Sequence, residues 1–258
     1  MTSSAAKLRV LILGGTTDAN QLAAAIAGDP RLDPILSYAG RTENPKRPPI
    51  AWRIGGFGGV DGLVDYLRGE NIGRVIDATH PFAAQMSAHA VAACAAAGVP
   101  LLALERAPWQ RTGGDRWIEV GDFPAAAQAL GATPRRVFLG IGRTQLAPFA
   151  NHPQHFYLVR LVDPPRAPLP LEAKVIVARG PFDLAGDRAM LADHRIEVVV
   201  ARDAGGDAAF AKIEAAREFG LPVVMVRRPS IPARQTVERV ADVLRWLGHD
   251  FDPAERGV

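Results

Sequence analysis

Hydrophobic and polar positions along the chain follow two alternating patterns. Short, almost wholly apolar runs recur at residues 8–13, 34–39, 51–54, 74–77 and 100–104. Longer alanine-rich or amphipathic stretches lie between them, from the turn Gly14-Gly15 to about residue 27, at 60–68 and at 83–97. Strands buried on both faces read as continuous apolar runs, and the longer stretches read as crossover helices. The pattern therefore predicts βαβ units around a parallel sheet. It restarts after Gly131-Ala132-Thr133-Pro134, with strands expected at 136–139, 156–161, 174–178, 197–201 and 222–226. A short helix is expected at 144–150, and longer ones at about 182–191, 207–218 and 236–247. The proline-rich stretch 163–170 can only be a loop. The fold class is thus α/β, with mainly parallel sheets in two related domains, 1–133 and 134–258, and a ligand cleft expected between them.

The two halves share more than their pattern. Gly98-Val99-Pro100-Leu101-Leu102-Ala103-Leu104-Glu105-Arg106 parallels Gly220-Leu221-Pro222-Val223-Val224-Met225-Val226-Arg227-Arg228. Each follows an alanine-rich helix, itself preceded by a strand and a polar turn. The likeness fits a duplicated half or two ordinary βα units that share a helix stop. In open α/β sheets ligands sit beyond the carboxyl ends of the strands, so the turns after each strand hold the informative residues.

Composition narrows the field. With 258 residues, 48% hydrophobic and 22% charged, the chain has the make-up of an ordinary globular protein rather than a disordered one. Its longest apolar run, 90–97, falls far short of the roughly 20 residues a membrane-crossing helix needs. No secretory signal pattern opens the sequence, and a cytoplasmic location is expected. Cys94 is the single cysteine, which excludes a disulfide within the chain and makes a cysteine-based metal site untenable. The net charge is only +3, and nearly all the cations are arginine, with lysine at 7, 46, 174 and 212 alone. No basic run is dense enough, or interleaved with aromatics, to suggest nucleic acid. Arginine does suit bidentate capture of carboxylate or phosphate, although a coding bias explains the same excess.

Several catalytic signatures are missing. No lysine follows a glycine, so there is no phosphate-binding P-loop, and neither Gly-x-Ser-x-Gly nor His-Glu-x-x-His occurs. Tyr38, Tyr66 and Tyr157 have no lysine four residues on, which removes a tyrosine–lysine acid/base pair. His152 and His155 read as a surface loop rather than a metal site, and no metal is expected.

What remains is the first turn. Gly14-Gly15-Thr16-Thr17-Asp18-Ala19 joins the first strand to the first helix, where glycine permits a sharp turn and close approach of a phosphate to backbone N–H groups at a helix N-terminus. In register with G-x-G-x-x-G/A it reads Gly14-x-Thr16-x-x-Ala19, with the middle glycine replaced. Two glycines also serve a plain turn. The end of the second strand, Ser37-Tyr38-Ala39-Gly40-Arg41-Thr42, lacks the acid that grips a free ribose hydroxyl, and Lys46 and Arg47 follow. A cationic rim suits a 2′-phosphate, hence NADP(H) rather than NAD(H); the alternative is a solvated basic loop.

With these residues in place the chain resembles the precorrin-6A reductases of cobalamin biosynthesis along nearly its whole length. Leu11-Ile12-Leu13-Gly14-Gly15-Thr16-Thr17, Ser37-Tyr38-Ala39-Gly40-Arg41, Gly55-Gly56-Phe57-Gly58-Gly59 and Asp77-Ala78-Thr79-His80-Pro81-Phe82-Ala83 carry the likeness. Glu105-Arg106, Trp109, Asp115-Arg116-Trp117, Gly140-Ile141-Gly142-Arg143 and Ala178-Arg179-Gly180-Pro181-Phe182 add to it. The resemblance implies NADPH-dependent reduction of a macrocyclic carbon–carbon double bond, converting precorrin-6A to precorrin-6B. It also implies two Rossmann-like domains with the tetrapyrrole between them. The glycine turn assigns NADPH to the first, and the strand-end arginines assign most carboxylate capture to the second. Neighbouring pathway enzymes are the other partners the resemblance suggests. Arg202-Asp203-Ala204-Gly205 departs from the Lys-Asn-Ser-Gly-like turn common in that family: the cation survives and the hydroxyl is lost at Ala204.

Cofactor contacts are therefore expected at Gly14, Gly15, Thr16, Thr17, Asp18, Arg41, Thr42, Gly56, Asp77, Ala78 and Thr79, with Asp77 either binding the cofactor or holding its turn. Substrate contacts are expected at Phe82, Arg143, Arg179, Arg202 and Asp203, the arginines matching acetate and propionate carboxylates. His80 is the candidate proton donor, because its unperturbed pKa near 6.5 suits proton transfer; it also suits a cap for the helix after it, with water protonating the ring system. Two other readings are another NADP-dependent oxidoreductase or epimerase, and a nucleotide-sensing module without turnover.

Overall fold

The computed structural model describes residues 6–40 and 47–249. In chain order the elements are β1 (Leu8–Leu13), α1 (Thr17–Ala25), β2 (Leu32–Tyr38), β3 (Ala51–Ile54), α2 (Gly59–Gly69), β4 (Arg74–Asp77), α3 (Ala84–Ala97) and β5 (Leu101–Leu104). There follow β6 (Arg116–Val120), α4 (Phe123–Gln128), β7 (Arg136–Gly140), β8 (Phe156–Leu161), β9 (Lys174–Val177), α5 (Leu184–Asp193), β10 (Val198–Arg202), α6 (Ala211–Glu218) and β11 (Pro222–Val226). The last two are β12 (Thr236–Val237) and α7 (Val240–His249). Two compact units result: Met1–Arg106 with Ser230–Val258, and Ala107–Pro229.

Each unit is built on a six-stranded sheet whose strands all run parallel. The first has the order β12-β5-β4-β1-β2-β3 and the second β6-β11-β10-β7-β8-β9. Each is a doubly wound, Rossmann-like arrangement, with the order reversing between β1 and β4 in one unit and between β7 and β10 in the other. β5 and β11 hold the same place in their sheets, and so do β4 and β10, which accounts for the parallel between the two halves of the sequence.

The interior apolar runs are strands because both their faces are covered. Along β1, Val10 and Ile12 pack with Leu22 of α1, Ile26 just after it, and Val243 and Leu247 of α7. The alternate residues Leu11 and Leu13 pack on the other side with Leu63 and Leu67 of α2 and Ala90 and Cys94 of α3. This period of two splits one continuous run between two helical layers. Burial pushes the Cys94 thiol up to about 12, the charge of Asp77 adding to the effect, so Cys94 acts as a small apolar core residue. In the second unit Phe138, Leu158, Val199 and Met225 pack against Leu191 of α5 and Ile213 and Ala216 of α6. Two helices of the second unit, α4 and α5, start with side-chain caps: Asp122 Oδ1 accepts from Ala125 N–H at 2.8 Å, and Asp183 Oδ1 from Gly186 N–H at 2.7 Å.

Three expectations need correction. The division at 133/134 is wrong, because β6 pairs with β11 of the second sheet while β12, after the whole second unit, pairs with β5 of the first. The turn at 131–134 that looked like a linker joins α4 to β7. The expected last helix at 236–247 begins only at Val240, since Thr236 and Val237 form the edge strand β12. The expected helix at 144–150 is a pair of 3-10 turns, Arg143–Gln145 and Ala147–Asn151. Among the described residues no helix is long and apolar enough to cross a membrane.

Candidate functional site

Parallel pairing puts the carboxyl ends of all strands of one sheet along one edge, and the reversal of strand order leaves a crevice there. In the first unit the turns bordering that crevice are 14–18, after β1, and 77–83, after β4.

Thr16 joins the two turns. Its Oγ1 accepts from Ala19 N–H at 3.1 Å, capping α1, and donates to the Ala78 carbonyl at 2.8 Å. The residue in place of the middle glycine thus turns its side chain into the fold. Its carbonyl accepts from Asn20 Nδ2 at 3.1 Å, and Asn20 Oδ1 accepts from the Tyr38 hydroxyl at 2.7 Å, so the end of β2 is tied to the same turn. Gly15 has φ +115°, and a Cβ there would meet nothing within 4 Å. The backbone requires glycine, and the space over it is open to a ligand. Asp18, expected at the cofactor, makes an ion pair with Arg106.

Asp77 holds its own turn. Buried at the end of β4, its Oδ1 accepts from the Thr79 N–H at 3.1 Å and the Thr79 hydroxyl at 2.7 Å. Its Oδ2 lies 3.8 Å from Arg234 Nε, and Arg234 Nη2 donates to Glu105 Oε2 at 2.6 Å. His80 Nδ1 accepts from Phe82 N–H at 3.1 Å, and the two rings meet edge to face at 5.8 Å. With Nδ1 accepting, the ring proton sits on Nε2, and protonating Nδ1 would break the turn's hydrogen bond. The geometry therefore favours the turn-holding role for His80 over proton donation.

Gly56 lies in a glycine-rich loop braced by Arg53, a residue that sequence reasoning passed over. Arg53 donates to Ser37 Oγ at 2.8 Å and to the carbonyls of Gly55 at 2.9 Å and Gly56 at 3.1 Å, and its guanidinium lies 4.2 Å from the Phe57 ring centroid. Arg41 and Thr42 lie outside the described residues.

In the second unit the corresponding crevice lies between β7 and β10. Arg143 is exposed in the turn after β7, and Arg202 ends β10. Asp203 Oδ1 accepts from Trp109 N–H at 3.0 Å, and Arg228 Nε donates to the Asp203 carbonyl at 3.1 Å with Oδ2 3.7 Å away. Asp203 is thereby a brace within its own unit. Arg179, after β9, is half-exposed and donates to Asp163 Oδ1 at 3.3 Å. Phe82 belongs to the first unit's 77–83 turn, so it does not join the arginines within one unit.

Beneath this edge lies a charge cluster that the sequence did not disclose. Lys212, in the first turn of α6, is buried and donates from Nζ to the Ala209 carbonyl. Burial, with the nearby Arg160 and Arg202 and against the opposing pull of Asp187, lowers its pKa to about 7. Asp187 pairs with Arg160, which also stacks 3.6 Å from the Phe182 ring centroid. Only flanking apolar residues such as Ala211 and Ile213 hinted at the burial. Because the unfolded chain holds the Lys212 proton up to a pH near 10.5, while the folded protein releases it near 7, stability is expected to rise with pH across that window. Urea unfolding of the wild type and of Lys212→Met at several pH values checks this: the variant should lack that part of the slope.

His155 is buried, which lowers its pKa, and its Nδ1 accepts from Arg135 N–H at 3.2 Å. Among the described residues no group of three or more His, Cys, Asp and Glu could hold a metal.

Two doubly wound parallel units, the first with a capped glycine turn at its crevice, define a two-unit Rossmann-like α/β protein. The family model for the precorrin-6x reductase CbiJ/CobK matches residues 9–248, and the chain belongs to this family. It is 54% identical over 251 residues to the precorrin-6A reductase of Rhodobacter capsulatus, covering 97% of this chain and 99% of that protein. It is 46% identical over 254 residues to that of Sinorhizobium sp, covering 98% and 97%. A solved structure described as CobK precorrin-6A reductase superposes with a TM-score of 0.90 at 53% identity, over 97% of this chain and 100% of that one.

Proposed function

We propose that this chain reduces precorrin-6A to precorrin-6B with NADPH, a step of cobalamin biosynthesis. The observation that carries the reading is 54% and 46% identity, over nearly the full chain, to relatives named precorrin-6A reductase. The first unit suits the cofactor: Gly15 leaves open space at an α-helix N-terminus, where a pyrophosphate is held by backbone N–H groups. Bound there, NADPH supplies the hydride. The chain's own residues hold and orient it: Gly14 to Thr17 at the pyrophosphate, Arg41 and Thr42 at the 2′-phosphate, and Gly56, Ala78 and Thr79 along the rest. Asp77 acts through the turn it fixes, and Asp18 through its ion pair with Arg106. In the second unit Arg143, Arg179 and Arg202 take carboxylates of the tetrapyrrole, with Asp203 orienting the turn; Phe82, in the first unit's 77–83 turn, is a further proposed substrate contact. Solvent delivers the proton, and His80 keeps the 77–83 turn in shape. The test is loss of NADPH absorbance on adding precorrin-6A, one equivalent consumed for each tetrapyrrole reduced. Cofactor binding without consumption would sink the reading.

Two expected outcomes follow from these assignments. Arg41→Ala should raise KM for NADPH by about 5- to 150-fold, the worth of a phosphate contact of roughly 1–3 kcal/mol, and leave KM for NADH nearly unchanged. Equal weakening for both cofactors would assign Arg41 to folding. His80→Ala should lower kcat by less than about tenfold; a loss of about 10²–10⁴ would instead make His80 the proton donor.

A further inference from the structure

The most unusual group in the second unit is Lys212, a buried cation that costs stability and that the proposed reaction does not use directly. Its surroundings are built for it. The end of β7 is Gly140, where a Cβ would come within 3.0 Å of Lys212 Cδ and 3.1 Å of Cε, so glycine opens the slot for the lysine stem. The ammonium lies 5.0 Å from the Trp109 ring centroid, within cation–π range. Trp109 and Lys212 together brace one turn, the one after β10. Trp109 donates from its backbone to Asp203 Oδ1 at 3.0 Å and from Nε1 to the Gly206 carbonyl at 2.8 Å, while Lys212 Nζ donates to the Ala209 carbonyl.

The charges facing Lys212 come from three elements: Arg160 of β8, Asp187 of α5 and Arg202 of β10. Asp187 Oδ1 is taken by Arg160, and its buried Oδ2 has no hydrogen-bond partner among the described residues. Charging Lys212 adds a cation near Arg160 and Arg202 that the carboxylate of Asp187 favours and those two guanidinium groups oppose. Arg202 ends β10, where the braced turn begins, close enough for its charge to act on Lys212.

We propose that Lys212 is a positioning residue that holds the turn after β10 and, through its own charge, sets the affinity of that strand edge for a polycarboxylate substrate. This rests on the assignment of tetrapyrrole carboxylates to the second unit. Substrate affinity then falls as pH rises through neutrality, while NADPH affinity does not follow.

Two measurements test it. Trp109 emission reports the charge of Lys212 without any turnover. A pH titration should show a step with a midpoint near 7 that is absent from both Lys212→Met and Trp109→Phe. KM for precorrin-6A should rise about fivefold between pH 6 and pH 8.5 in the wild type, the effect of one partly screened charge at several ångströms. In Lys212→Met it should be flat and at or above the high-pH value; in Lys212→Arg it should be flat and low. No fluorescence step near neutrality would overturn the proposal, and so would a wild-type KM that does not change with pH while turnover is normal. Absence of any precorrin-6A reduction by the wild type would overturn the functional reading and this proposal together, and a surviving Trp109 step would then leave Lys212 as a titrating structural residue only.

Discussion

Asp187→Ala is expected to destabilise the protein by about 3–5 kcal/mol, the range for removing one partner of a buried ion pair. The Asp187 side chain is 3% exposed and that of Arg160 10%. The substitution would leave Arg160 without its carboxylate and Lys212 without the charge that opposes its desolvation, and the loss should exceed that of a cavity the size of one small side chain. A chain of this length shifts by roughly 2–4 °C in Tm per kcal/mol, so a fall of about 6–20 °C is expected in a thermal melt. Adding Lys212→Met should restore part of it, because one of the stranded cations is then gone. A double-mutant cycle would show that coupling directly. A loss under about 1 kcal/mol, with no coupling to Lys212, would mean that solvent reaches the cluster and screens it.

The second large effect is at Gly15. A valine there must adopt φ +115°, a region costly for a branched side chain, with a strain of about 1–3 kcal/mol. The side chain would also project into the open space over the glycine turn, where the pyrophosphate is proposed to lie. Together these should raise KM for NADPH by about 100-fold or more, since every 1.4 kcal/mol is tenfold. Tetrapyrrole affinity should change little. Gly15→Ala should be milder on both counts. If Gly15→Val melted like the wild type and bound NADPH normally, the turn after β1 would not be the phosphate site.

The sequence discloses the strands that carry an apolar run. β1, β4, β8 and β11, buried along most of their length, and the exposed edge strand β3 begin and end where their apolar runs do. It conceals the sixth strand of each sheet. β6 reads Arg-Trp-Ile-Glu-Val and is mostly exposed at a sheet edge, while β12 is two residues long. Neither has the apolar run that marks an interior strand. Those two edge strands exchange the ends of the units along the chain, so the true division could not be placed from local signals. At the site, the glycine turn and the arginine-bearing strand ends were legible because each is a local feature. Thr16 donating to Ala78, Arg234 beside Asp77, Arg53 under the glycine loop and Lys212 below Trp109 were not. Each depends on a pairing across 16 or more residues, 62 for Thr16 with Ala78, that folding alone creates.

The central claim is that hydride passes from NADPH held by the first unit to a carbon of the tetrapyrrole. The direct test is to incubate the purified protein without oxygen with precorrin-6A and NADPH deuterated at the nicotinamide C4 position, and to weigh the product by mass spectrometry. The account predicts one deuterium per reduced macrocycle when the transferred C4 hydrogen is labelled, and none when only the opposite C4 hydrogen is. A reduced product without deuterium from either labelled face, or oxidised NADP⁺ with unchanged precorrin-6A, would contradict it.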